Sequence, residues 1–160
     1  MIDSLNTFMR YLELFEADYD PLKTQHSVSS FLYKDGQFIA VPYQSHLDVL
    51  GRVFDVAVPP WNDDSDARME AFDQLTCMAV QSGVVQGLFQ PGIGDQKTYL
   101  DLRGSLKACR QAFAAFRATY PNLMARVDAV SYDLLDPDGK RIESDIIEGK
   151  NIDRKFGRRY

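Results

Sequence analysis

Apolar residues recur at helical spacing in three stretches of the chain, and shorter apolar runs separated by turn residues fill much of the rest. The clearest helix covers residues 104–120. Leu106, Cys109, Phe113, Phe116 and Tyr120 are three, four, three and four residues apart, which sets them on one stripe. Alanines between them favour helix, Ser105 can cap the start, and Pro121 is the expected stop. A second helix is predicted over 65–82, with Met69, Phe72, Leu75, Cys77 and Ala79 inward, acidic caps at its start and Gly83 at its end. An N-terminal helix is expected from Asp3 or Ser4 to about Ala17, with Leu5, Phe8, Met9, Leu12 and Phe15 as its stripe.

Between these lie strand signals. Two apolar runs, 28–33 and 38–41, flank Asp35 and Gly36, a pair that tolerates the positive φ of a tight hairpin turn. Val53, Phe54, Val56 and Val58 predict a third strand over 52–58, stopped by Pro59 and Pro60. Short strands are expected at 84–89 and 98–102. A final hairpin pairs 126–135 with 141–147 around a turn containing Pro137 and Gly139. The order predicts an α+β fold: one domain over residues 1–149, a mostly antiparallel sheet packed by about three helices, followed by a basic C-terminal arm over 150–160.

The 160 residues are 45% hydrophobic, enough for a single packed core, and no apolar run reaches the length needed to cross a bilayer. The N-terminal residues show no basic region followed by an apolar one, so no secretory signal is expected, and the expected setting is the cytoplasm or a particle assembled there. Cys77 and Cys109 read as buried free thiols, with a disulfide between their helices as the alternative.

Charge changes this picture. The net charge of −5 conceals blocks of opposite sign. Residues 1–101 hold 6 basic and 15 acidic residues, and 102–127 hold 5 basic and no acidic ones. Residues 128–149 hold 2 basic and 7 acidic, and 150–160 hold 5 basic and 1 acidic. Arg103, Lys107, Arg110 and Arg117 are expected on one face of the central helix. Lys150, Arg154, Lys155, Phe156, Arg158, Arg159 and Tyr160 make up the arm.

Motifs for chemistry are weak. In the stretch 91–98, Gln96 stands where a phosphate-binding loop needs glycine before Lys97. Asn62, Asp64, Asp66 and Asp73 imitate a calcium loop, but Ala67 replaces the turn glycine, and helix capping explains the acids. His26 and His46 lie in no zinc-ligand spacing, and His46, beside Ser45 and Asp48, reads as a surface histidine near a turn. No metal, cofactor or catalytic residue is therefore expected.

The reading that uses most features is a non-enzymatic protein–protein interaction or assembly subunit, homo-oligomeric or part of a larger particle. It would assemble through the basic helix, the arm and complementary acidic surfaces. Removal of 150–160 is then expected to weaken association without unfolding the domain. The layout resembles small building blocks of ring-shaped assemblies, such as phage tail and connector subunits; the likeness is architectural and no motif carries it. The alternatives are a monomeric inhibitor, immunity or regulatory module acting on one partner, and a small enzyme with a dispersed site. Nucleic acid is a less favoured partner, because the acidic blocks oppose it, and no membrane partner is expected.

Overall fold

A computed structural model describes residues 29–42, 45–60, 65–92 and 94–157. The expected N-terminal helix with its acidic end (Glu13, Glu16, Asp18 and Asp20), His26, the 61–64 stretch and residues 158–160 lie outside them. The described chain is α+β. A six-stranded sheet contains β1 (Ser29–Lys34), β2 (Gln37–Pro42), β3 (Val85–Gln90), β4 (Tyr99–Gly104), β5 (Ala129–Leu135) and β6 (Arg141–Glu148), in the order β2-β1-β3-β4-β5-β6. All neighbours are antiparallel except β4 and β5. The described helices are α1 (His46–Phe54), α2 (Ser65–Gln81), α3 (Leu106–Thr119), α4 (Pro121–Arg126) and α5 (Asn151–Lys155).

Sequence-adjacent strands form three hairpins, and helices follow each one. The first turn has φ of 52° at Asp35 and 81° at Gly36, the left-handed pair that matches strand twist. The last is held by Asp136, whose carboxylate accepts from the backbone N–H of Asp138 and of Lys140, each at 2.9 Å.

Strand alternation sends side chains to two different layers. Phe31, Phe89, Leu100, Leu102, Val130 and Tyr132 face α3 and α5, and with Phe113 and Phe116 they form the main core. The predicted stripe of α3 is realised: Cys109, Phe113, Phe116 and Tyr120 are buried, and the Ser105 hydroxyl accepts from Ala108 N–H as the cap. On the opposite face Leu32 packs with Val49 and Leu50 of α1 and Leu75 and Ala79 of α2 in a smaller core. Cys77 and Cys109 are both free thiols, on helices that pack against opposite faces of the sheet.

Two expectations are corrected. Residues 52–58 do not form a strand, because His46–Phe54 is helical. Leu50, Val53 and Phe54 share a helix face that packs with Leu75 and Ala79, and this burial outweighs the strand preference of the valines. Asp55 ends α1 in the left-handed conformation. The central helix does end before Pro121, at Thr119, as expected, and Pro121 then opens the separate short helix α4 at its first position, where its missing N–H is no loss. Met69 is not inward: it is 66% exposed, whereas Leu75, Thr76, Ala79 and Val80 are buried.

Candidate functional site

The basic surface expected from the sequence is only partly assembled. Lys107, Arg110 and Arg117 lie on α3, but Arg103 lies on β4 and faces the other side of the sheet. Alternation explains the separation: Leu100 and Leu102 enter the main core, so Asp101 and Arg103 must point away from it.

The segment after Gly149 is folded back onto its own domain as far as Gly157. Phe156 is 2% exposed, with its ring centroid 5.6 Å from Phe113 and 5.3 Å from Tyr132. Arg110 Nε donates to the Lys155 carbonyl at 3.0 Å, Arg117 pairs with Asp153 at 2.5 Å, and Lys155 pairs with Glu143. The fold thus sets the two basic blocks side by side and uses several of their charges internally. Lys107, Lys150 and Arg154 are exposed and in no ion pair among the described residues. Residues 150–157 of the expected basic arm thus lie against the domain, and Arg158, Arg159 and Tyr160 lie outside the described residues.

On the opposite face of the sheet, α1 and α2 pack over Leu32, and α2 reaches the turn between β5 and β6, where Cys77 donates to the Asp138 carbonyl. A cleft of about 590 Å³ lies between these helices and the sheet, floored by β3, β4 and β5. Four polar side chains of β4 and β5 on its floor form a lattice set by the register, and Gln86 of β3 lies beside them. Asp101 is opposite Ser131, and Arg103 is opposite Asp133. Leu47, Met69, Phe72 and Leu88 supply an apolar wall.

The electrostatics of this cleft are unusual. The Arg103 guanidinium lies 5.1 Å from the centroid of the Phe72 ring, its Nε is buried without a hydrogen-bond partner, and burial lowers its pKa. Asp101 accepts from Gln90 Nε2 at 2.6 Å. Burial is the main cause that raises its pKa to about 6, with repulsion from Asp133 adding to it. Asp133 is committed to β6, accepting from Ser144 Oγ at 2.7 Å and lying 3.5 Å from Arg141 Nε. No ion pair joins Arg103 to either carboxylate. His46, read from sequence as a surface residue, lines the cleft and is hydrogen-bonded to Gln86. Burial, with the Arg103 charge adding to it, lowers its pKa to about 4, so the ring is neutral.

Beyond the cleft the sheet ends at β6. All but one of its residues are exposed, and its outer edge is unpaired among the described residues. Ile142 is 66% and Ile146 53% exposed.

The glycine-rich stretch is a loop closed by the Gly92 N–H donating to the Thr98 hydroxyl, and a strand follows it, not a helix. No cluster of His, Cys, Asp and Glu suited to a metal ion occurs among the described residues, and no described helix is long and apolar enough to cross a membrane. Sequence reasoning missed Asp101 and Asp133, although each stands between two core residues of a strand. The chain matches no family model, no curated protein and no solved structure.

Proposed function

We propose that the chain is a non-enzymatic assembly subunit, acting in the cytoplasm or in a particle built there, and that it pairs with a second copy of itself along β6. The observation that carries this reading is the unpaired edge of β6, with Ile142 and Ile146 exposed. A long edge strand presents free N–H and C=O groups that another strand can satisfy.

The sequence of β6 is self-complementary in an antiparallel arrangement centred on Ser144. Ile142 of one copy then stands opposite Ile146 of the other, and Lys140 opposite Glu148. The one unfavourable pairing, Glu143 against Asp145, is offset by Lys155, which already holds Glu143. The contact is isologous and closes a dimer. Lys107 on α3, with Lys150 and Arg154 close to the end of β6, remain for acidic surfaces of further copies, which extends the dimer into a larger particle.

Solution mass by light scattering at low and high salt tests this reading. A dimer that survives high salt is expected, since apolar and backbone contacts are little screened, whereas any larger species held by Lys107, Lys150 and Arg154 dissociates. Ile142→Lys with Ile146→Lys is expected to give a folded monomer. A wild-type chain that is monomeric at every concentration, or a double variant that still dimerises, overturns the proposal. A monomer that captures one foreign partner in equal stoichiometry instead identifies an inhibitory or regulatory module.

A further inference from the structure

We infer that the cleft beside α2 binds a free α-amino acid with an apolar side chain, its carboxylate on Arg103 and its ammonium on Asp101. The inference is independent of β6 pairing.

The argument starts from two opposite charges that do not satisfy each other. Asp101 and Arg103 are two residues apart on β4 and point the same way, about 7 Å apart along a strand. No ion pair joins them. The nearest alternative carboxylate, Asp133, is turned to Ser144 and Arg141. Arg103 consequently keeps a buried Nε with no acceptor, and Asp101 has only the neutral amide of Gln90. Holding unpaired charge away from water is costly, and a ligand that brings the missing partners removes that cost.

A ligand of single charge would satisfy one of these groups and leave the other. An α-amino acid carries both charges one carbon apart, so it can hydrogen-bond to both residues at once. Arg103 offers a planar fork suited to a carboxylate, and Phe72 behind it fixes the plane of the guanidinium. His46, neutral at the cleft wall, adds no competing charge. The side chain of the ligand would meet Leu47, Met69 and Leu88, and Met69, an exposed and flexible side chain, can repack over it. The volume, about 590 Å³, lies within the range of small-molecule sites.

Calorimetric titration of the full chain with L-leucine, L-methionine and L-phenylalanine tests the inference. At least one should bind saturably at millimolar concentration or below. Leucinamide, which lacks the carboxylate, and 4-methylpentanoate, which lacks the amine, should each bind about tenfold more weakly than leucine or worse, the loss expected for one charged hydrogen-bonding partner. Arg103→Gln and Asp101→Asn should weaken binding similarly while the circular dichroism spectrum is unchanged. If Arg103→Gln fails to fold, the comparison of the three ligands on the wild-type chain still decides. No saturable binding of any of the three amino acids overturns the inference, and so does equal binding of leucine and its two truncated analogues.

Discussion

The ring of Phe31 lies across the backbone of Gly87, so closely that a Cβ placed on residue 87 would fall 2.0 Å from the ring's Cζ. The two residues face each other on adjacent strands, and Phe31 also stacks on Phe116 with centroids 6.1 Å apart. Glycine at 87 is thus what lets an aromatic ring fill the space between β3 and α3.

Gly87→Ala is expected to destabilise the fold by about 3 kcal/mol, the upper part of the range for overpacking a rigid core. Phe31→Leu in the same chain should recover part of that loss. Chemical denaturation of the two single variants and the double variant measures the coupling, and simple additivity would show that the ring contact is not the cause.

Removal of residues 150–160 should unfold or severely weaken the domain, contrary to the expectation from sequence. It strips Phe156 and Ile152 from the core and uncovers Phe113 and Tyr132. Phe156→Ala alone should cost about 3–5 kcal/mol. A denaturation midpoint indistinguishable from wild type would refute the docked position of the segment.

Stability between pH 4 and 6 should carry two opposed slopes from the cleft. His46 is neutral in the fold down to about pH 4 but takes a proton below about 6.5 when unfolded, so its contribution is lost as pH falls. Asp101 holds its proton in the fold up to about pH 6 but releases it near 4 when unfolded, so its contribution grows as pH falls. In the wild type the two largely cancel. Asp101→Asn should steepen the loss of stability on acidification, and His46→Gln should reduce or reverse it. The change should be on the order of 2 kcal/mol over the window, less for Asp101, which stays partly open to water. Thermal melts across this pH range check both signs.

Thiol labelling should distinguish the cysteines. Cys109 is fully buried and burial pushes its pKa up to about 12, so it should stay unmodified in the native protein. Cys77, half-buried beside the 136–140 turn, should label alone, with the second equivalent appearing only on unfolding. Mass spectrometry after alkylation reads the count. An oxidised species linking the two within one folded chain is not expected, since their helices pack on opposite faces of the sheet.

Local chemistry was readable wherever one period or one turn decided the outcome. The stripe of α3, its Ser105 cap and the Asp35 and Gly36 turn all follow from residues within a few positions of one another. The helix at 46–54 was hidden because valines near its end favour strand, and only contact with α2 settles the matter. Phe156 counts from sequence only as part of the basic arm, because nothing in its neighbours announces that it packs against Phe113 and Tyr132. The cleft was equally silent. The alternation of Asp101 and Arg103 with Leu100 and Leu102 declares a two-faced strand, but only the sheet order brings Asp133 beside them, and only the packing of α1 and α2 makes a cleft above them.

The three hairpins close over short stretches of chain, whereas the joins between β1 and β3 and between β4 and β5 each bridge a pair of helices. Closing a long loop is entropically dearer and slower than closing a short one. The parallel join of β4 to β5 is therefore one of the two late steps of folding. Asp101 and Arg103 stand on one side of that seam, with Ser131 and Asp133 on the other. A ligand held by Asp101 and Arg103 against Leu47, Met69 and Leu88 would brace β4, on one side of that seam, against β3 and the two helices, and so deepen the equilibrium stability of the folded chain.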